Sequence, residues 1–474
     1  MRVGAPRIAV GVATAAFAGG MSLLAVLQHR AFSSGRFDLG NLTQAVWSTA
    51  HGQPLEVTNL RGEQMSRLGA HFDPLVGILA PLWLVWPDPS LLLVVQAVAV
   101  AAGAIPVFQI ASRLLGSEWA AAGFAVAYLL YPPTQWLVTD DFHPVAFAAP
   151  LLLFALRYLL DDRLLPFALL GGLACLTKEQ VGIAVGGIAL WYAFTRRRRA
   201  ALAIAGGALA VAAVAMFIVV PYFAPGSGSP FAGRYAAVGG SPSGLVRTLV
   251  TDPGEVFAQA FSGRDLGYLL RLAGPLLGLM LLAPGLLAAA LPELALNLLS
   301  DTRTQTSVHF HYTAVLVPIA FVAAIAGTAR LCRLRRLAPR VALAVATATL
   351  VAGYLLGPLP LWSRLPGGSE LGTRDHIVSA RGEAAARVLA RIPGGDAVSA
   401  SNSLGAHLSD RRRIFSFPVL ADARWVALDT WRPSYRDAVA DPPRFRAALA
   451  RLRTDDRFEL VLEDGPILLF RRIG

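Results

Sequence analysis

Long apolar runs punctuated by short polar ones organise this chain from residue 7 almost to residue 362. A spanning helix needs about 20 mostly apolar residues, and stretches of that size recur throughout the region. The pattern predicts an all-α polytopic membrane domain of about eleven transmembrane helices. The expected spans are residues 8–28, 90–115, 119–138, 144–160, 164–177, 181–194, 200–220, 312–329 and 341–361. Two further short spans fit within 266–299, turning near Pro284 and Gly285. The first run is too long for a signal peptide and lacks a clear small-residue cleavage site, so it reads as a span. Residues 71–86 are apolar but too few to cross, with Trp83 and Trp86 near their end, which fits an interfacial or re-entrant helix.

Beyond residue 361 the pattern changes: charges crowd together and apolar runs shrink to strand length. Residues 378–392 carry apolar side chains at helical spacing. Strand-like runs follow at 397–401, 414–417 and 425–428, then a helix at 444–452. The last two strands, 458–462 and 467–470, flank Asp464-Gly465, a hairpin signal. We therefore expect a membrane domain over 1–361, with a first outer loop at 29–88, and a small α/β domain over 362–474. That tail contains no phosphate-binding glycine motif.

Composition agrees with the pattern. Apolar residues make up 55% and charged residues 15%, against about 25% charged in soluble chains, and mean hydropathy is +0.55. The net charge of +12 does not indicate nucleic acid as a partner. Its densest clusters, Arg196 to Arg199 and the group Arg330, Arg333, Arg335, Arg336 and Arg340, lie between spans, the positive-inside pattern of a protein facing anionic cytoplasmic lipid. Held inside, those clusters place the N-terminus in the cytoplasm and the C-terminal domain outside, in a multi-pass plasma-membrane protein. Cys175 lies in a span and Cys332 in an arginine-rich inner loop, so neither serves an outer disulfide framework.

This threading gathers the chain's scarce polar residues at the outer ends of the spans. They are Asp38; His71 and Asp73; Asp140, Asp141 and His143; Lys178 and Glu179; and His309 and His311. Several have structural readings too. Asp73-Pro74, Asp88-Pro89 and Asp252-Pro253 match an aspartate N-cap followed by proline at the first helical position, and His143-Pro144 has the form of a helix start. Asp140, Asp141 and His143 also fit solvated loop positions. A divalent metal held by His71, Asp73, Asp141 and His143 is a third option, since carboxylate and imidazole suit such an ion, although no spacing is diagnostic. Lys178 is the only lysine among 42 basic residues, and a compact charge there suits either a pair with Glu179 or a phosphate. Arg271 and Glu293 stand at similar depth in neighbouring spans. They are expected to pair, the other option for Arg271 being a lipid-linked phosphate.

The order of these residues resembles a known family. Phe37-Asp38 follows the first span, Arg113-Leu114-Leu115-Gly116 ends a later one, an acidic outer turn comes next and Leu176-Thr177-Lys178 closes another. This is similar to the GT-C superfamily of polytopic glycosyltransferases, which includes protein mannosyltransferases and aminoarabinose transferases. More closely, Phe37-Asp38 through Gln44 and Trp47, His71-Phe72-Asp73-Pro74, Asp141-Phe142-His143-Pro144, Lys178-Glu179 and the run from Ser401 to Ser409 resemble the bacterial membrane family DUF2079. The resemblance implies a GT-C-like fold and transfer of a sugar from a polyprenyl-phosphate donor, drawn from membrane lipid, to an acceptor on the outer face. It implies Asp38 as general base. It places Asp140, Asp141, His143, His71 and Asp73 around the acceptor or a metal, and Lys178, Glu179, Arg271, His309 and His311 near the donor phosphate. Glu179 and the His309–His311 turn depart from the transferases. Two other functions remain open: a lipid or sugar-lipid transporter, although no repeated halves are visible, and a non-catalytic scaffold presenting the outer domain.

Overall fold

The computed structural model describes residues 4–224, 232–332, 335–431 and 442–473. Arg333, and residues 225–231 between the spans expected at 200–220 and within 266–299, lie outside them. Four helices among the described residues are long and apolar enough to cross a membrane: Ala5–Arg30, Ser90–Leu115, Ala200–Phe223 and Ala338–Leu356. Shorter apolar helices accompany them, including Glu118–Leu130, Leu164–Cys175, Val181–Arg196 and Leu316–Leu331. Helices satisfy their own backbone groups in lipid, so they need little polar support.

Prolines and left-handed residues explain where expected spans are interrupted. Residues 119–138 form two helices, Glu118–Leu130 and Pro132–Thr139, because Tyr131 precedes a proline and adopts extended backbone, with φ −66° and ψ 124°. The two short spans expected within 266–299 do not turn at Pro284 and Gly285. Gly263–Ala273 passes into a short 3-10 turn and the chain reverses at Leu277 and Gly278, both left-handed. Pro284 begins the next helix instead, in the position where its missing N–H is harmless. Helices also approach closely where side chains are small: a Cβ on Gly182 would sit 2.4 Å from the Ala208 carbonyl oxygen.

The first polar loop is folded. It holds helix Asn41–Ala50 and an antiparallel hairpin of β1 (Glu56–Thr58) and β2 (Gln64–Ser66). The apolar segment after it forms a 3-10 helix, Pro74–Leu79, that runs into a single α-helical turn, Ala80–Trp83, about 18 Å in all at about 2.0 and 1.5 Å per residue and so well short of a hydrocarbon core of about 30 Å.

The C-terminal region is a five-stranded sheet of β3 (Val398–Ala400), β4 (Ile414–Ser416), β5 (Trp425–Asp429), β6 (Phe458–Asp464) and β7 (Ile467–Arg472), in the order β4-β3-β5-β7-β6. β3 runs parallel to both β4 and β5, while β5, β7 and β6 pair antiparallel. Gly465, at φ +57°, makes the β6–β7 turn. Alternation supplies two apolar faces. Helix Ala380–Leu389 covers Ala400, Ala427 and Leu469 with Ala384 and Val388, while helix Pro442–Arg453 covers Val426, Leu428 and Phe470 with Phe445 and Leu452.

This sheet docks on the first loop through a buried arginine. The Arg36 guanidinium, 2% exposed, donates to the Ser416 hydroxyl (2.7 Å) and to the carbonyls of Thr58 (2.8 Å) and Ile414 (2.5 Å). Gln44 adds bonds to the Arg411 and Arg412 carbonyls. Replacing Arg36 by leucine leaves those buried carbonyls without this donor, at about 1–3 kcal/mol for each acceptor left unsatisfied. Hydrogen exchange of Arg36→Leu is expected to speed the amides of β4 and residues 35–40 while leaving those of Ser90–Leu115 unchanged. Equal acceleration everywhere, or none, would refute this docking role.

Candidate functional site

Asp38 sits on a single wide helical turn, Arg36–Gly40, just after the first long helix. That turn borrows its support from distant side chains. Asp141 Oδ2 accepts the Gly35 N–H at 2.8 Å, and Asn402 Oδ1 accepts the Phe37 N–H at 3.0 Å. Small residues let the Ser401–Ser409 run approach: a Cβ on Gly40 would meet the Ser409 hydroxyl at 2.6 Å, and one on Gly405 would meet Arg36 at 2.9 Å.

The acidic turn at 140–143 divides its labour. Asp141, at φ +60°, spends its carboxylate on the Gly35 and Phe142 amides and is a structural clamp. Gln96, buried in Ser90–Ala102, fixes the same turn by donating to the Asp141 carbonyl (2.8 Å) and accepting from the His143 N–H (2.8 Å). So held, His143 places Nε2 3.5 Å from Asp38 Oδ1. Asp140 turns to another segment, where its Oδ2 accepts from the His311 backbone N–H at 3.0 Å and lies 3.2 Å from His311 Nδ1. The His143 and His311 rings stack with centroids 3.7 Å apart, and the Lys178 ammonium lies 5.5 Å from the neighbouring Tyr312 ring. Asp38, Asp140, His143, His311, Tyr312 and Lys178 thus form one cluster.

The remaining candidates brace this cluster. Glu179 accepts from the Phe72 N–H (3.0 Å) and from His71 Nδ1 (3.0 Å), locking the 71–72 loop to the end of a helix. Asp73 stands at an N-cap position with Pro74 behind it, yet its carboxylate does not cap. It pairs with Arg67 at 2.9 and 3.1 Å, and Arg67 also donates to Asn41. Asp252 does cap, accepting the Glu255 N–H. His143 likewise starts a helix without capping it. Arg271 and Glu293 form no pair: Glu293 is buried on the side of Gln180 and Lys178, whereas Arg271 is exposed on the side of His309. Helix rotation separates them, which depth alone did not reveal. His309 contacts Ser307 and the edge of Trp136, apart from Asp38. His71, Asp73 and Asp141 are therefore held by different partners, and the four residues His71, Asp73, Asp141 and His143 do not gather around one ion.

Burial governs the charges. It pushes the Asp140 carboxyl well above its usual range, against the His311 N–H, and raises Asp141 to about 6, against the N–H of Gly35. Burial also lowers His143 to about 4, and it holds His311 well below its ordinary value with His143 adding to the effect. Both imidazoles are neutral at pH 7, so the 3.5 Å approach of His143 Nε2 to Asp38 Oδ1 is not an ion pair. Burial opposes the Glu179 charge as well, but His71 and Lys178 beside it outweigh that and keep it ionised.

Sequence reasoning missed Arg67, Gln96, Tyr312 and Asn402. Gln96 carried a signal, a lone amide in an apolar span. Asn402 lies in the Ser401–Ser409 run, whose role emerges only from docking. Two cavities, of about 800 and 440 Å³, open elsewhere. The larger lies among Arg7, Gln109, Arg113 and Arg157; the smaller is an apolar groove between Phe17, Leu24, Leu27, Leu130 and Leu359.

The fold is similar to that of ArnT from Cupriavidus metallidurans. Against the crystal structure of ArnT bound to undecaprenyl phosphate, the TM-score is 0.54 at 12% identity, over 98% of each chain. Against ArnT in the apo state it is 0.53 at 12% identity, over 92% of this chain and 93% of that one. No curated protein matches the chain by sequence. Residues 28–468 match the family described as predicted membrane protein (DUF2079), a span that takes in the Asp38 turn, every member of the cluster and nearly the whole sheet, and the chain belongs to that family.

Proposed function

We propose that this chain is a membrane glycosyltransferase of GT-C type that moves a sugar from a polyprenyl-phosphate donor to an acceptor at the outer face of the plasma membrane. In this reading the chain crosses about eleven times, the N-terminus is cytoplasmic, and the sheet domain after residue 361 lies outside, on the same side as Asp38. The observation that carries the proposal is the Asp38 turn: an aspartate directly after the first long helix, 15% exposed at its side chain and 3.5 Å from a neutral histidine. The ArnT-like fold supports it, because ArnT is the protein crystallised with undecaprenyl phosphate.

The chemistry follows from the cluster. The acceptor hydroxyl attacks the anomeric carbon as the bond from that carbon to the phosphate oxygen breaks, and polyprenyl phosphate departs with the electron pair. Asp38 takes the hydroxyl proton, the work of a general base within hydrogen-bond reach. His143 orients the carboxylate through Nε2. Lys178, a point charge at the edge of the cluster, faces the phosphate as it gains charge. The apolar groove beside the first helix suits an isoprenoid chain.

Membranes carrying the wild-type chain are expected to transfer label from one or more polyprenyl-phosphate sugars, and Asp38→Asn to lose about 100-fold or more of that rate. Transfer at the wild-type rate by Asp38→Asn, or no transfer from any donor by the wild type, would sink the mechanism. Lys178→Ala is expected to raise the donor KM, with partial recovery in Lys178→Arg. An unchanged KM in Lys178→Ala would remove the lysine from the donor site.

A further inference from the structure

We infer that Asp140, His143 and His311 form a binding site for one divalent first-row transition-metal ion. A donor atom from each lies within 4.8 Å of the other two, and among the described residues no other set of three or more His, Cys, Asp or Glu side chains converges in this way. Two imidazoles and one carboxylate are a donor set for zinc and its neighbours rather than for calcium or magnesium.

Two observations independent of that convergence, and one distance within it, support the assignment. His143 is only 9% exposed and its Nδ1 is buried without a hydrogen-bond partner. A polar atom in that position is costly unless something occupies it. The ring's other nitrogen faces Asp38 at 3.5 Å, and a carboxylate behind a histidine is the arrangement that orients an imidazole toward a metal. The 3.2 Å between Asp140 Oδ2 and His311 Nδ1 also matches the separation of neighbouring donors on one ion, about 3.0–3.5 Å at bond lengths near 2.1 Å.

The surroundings decide which residues belong. Asp141 is held by Gly35 and Phe142, His71 by Glu179 and Asp73 Oδ2 by Arg67, so each of these neighbouring groups is drawn to a partner outside the triad. Asp38 stays behind His143 as its orienting partner and keeps a carboxylate free of the ion. Three protein donors leave room for a further ligand, as in catalytic zinc sites and unlike closed structural ones. The Lys178 charge is felt at both histidines, so an anionic group entering from that side would meet the ion and the ammonium together.

This proposal goes beyond the transferase reading and is tested without any sugar transfer. Full-length chain, with its purification tag removed, is stripped with a chelator in lipid nanodiscs and titrated with zinc alone. We expect about one ion per chain by calorimetry and elemental analysis, and a shell with two imidazole nitrogens by X-ray absorption. His143→Ala and His311→Ala are expected to weaken binding about 100-fold or more, beyond what loss of an orienting partner produces. His51→Ala, at an exposed histidine stacked on Trp47, binds as the wild type does. Failure of the wild type to retain a stoichiometric ion, an all-oxygen shell, or undiminished binding by both triad variants overturns the site. Where a variant does not fold, the X-ray absorption of the wild type decides alone. A metal bound without transfer would sink only the transferase reading, and transfer by chain that binds no metal would sink only this one.

Discussion

A backbone turn that belongs to no regular helix or sheet must find hydrogen-bond partners elsewhere, and Arg36–Gly40 finds them more than a hundred residues away. Gly35 bonds the Asp141 carboxylate, Phe37 bonds the Asn402 amide and Arg36 reaches into β4. Unpaired buried donors are costly enough that these contacts must form together. The position of Asp38 is therefore set jointly by the turn at 140–143 and by the C-terminal sheet. Neither the membrane helices nor the sheet alone would define it. This gives the sheet a physical place in the site: it supplies one wall of the turn that carries the aspartate, with Gly40 and Gly405 allowing backbone and side chain to meet at contact distance.

The same economy of partners separates the polar groups around the site into two kinds. Asp141, Glu179 and Asp73 hold backbone or arginine donors. Asp140, His143 and His311 are less committed, packed ring on ring, with neutral imidazoles beside a carboxyl whose charge burial disfavours. A buried cluster of this second kind contributes little to fold stability, because its groups lose water without gaining full replacement. Such clusters persist where a ligand completes them.

What the sequence disclosed followed the range of the interaction. Span positions, the strand runs of the tail and the Asp464-Gly465 hairpin depend on residues a few places apart, and the structure places helices and strands close to where the pattern put them. Proline signals were equally local but ambiguous in sense: Pro132 interrupts a span, whereas Pro284 begins a helix after a reversal that left-handed Leu277 and Gly278 had already made. Pairings across helices were not legible. Arg271 and Glu293, expected at a shared depth, face different neighbours, because rotation about a helix axis is fixed by packing against third parties.

Lys178 shows why an odd residue type is informative and also incomplete. In a chain that uses arginine everywhere else, composition marked it for attention, and its two readings were a pair with the adjacent Glu179 or a contact with a phosphate. Adjacent residues at a helix start diverge in direction, however, and Glu179 turns to His71 and Phe72 while the lysine lies over Tyr312 near His143, His311 and Glu293. An arginine in its place would bring a planar fork of five donors into a corner with one aromatic face and few acceptors. A lysine brings a single compact charge on a flexible stem, which lies 5.5 Å from the Tyr312 ring. The substitution that composition singled out is thus explained by the shape of the corner, and that shape depends in turn on Glu179 holding the neighbouring loop in place.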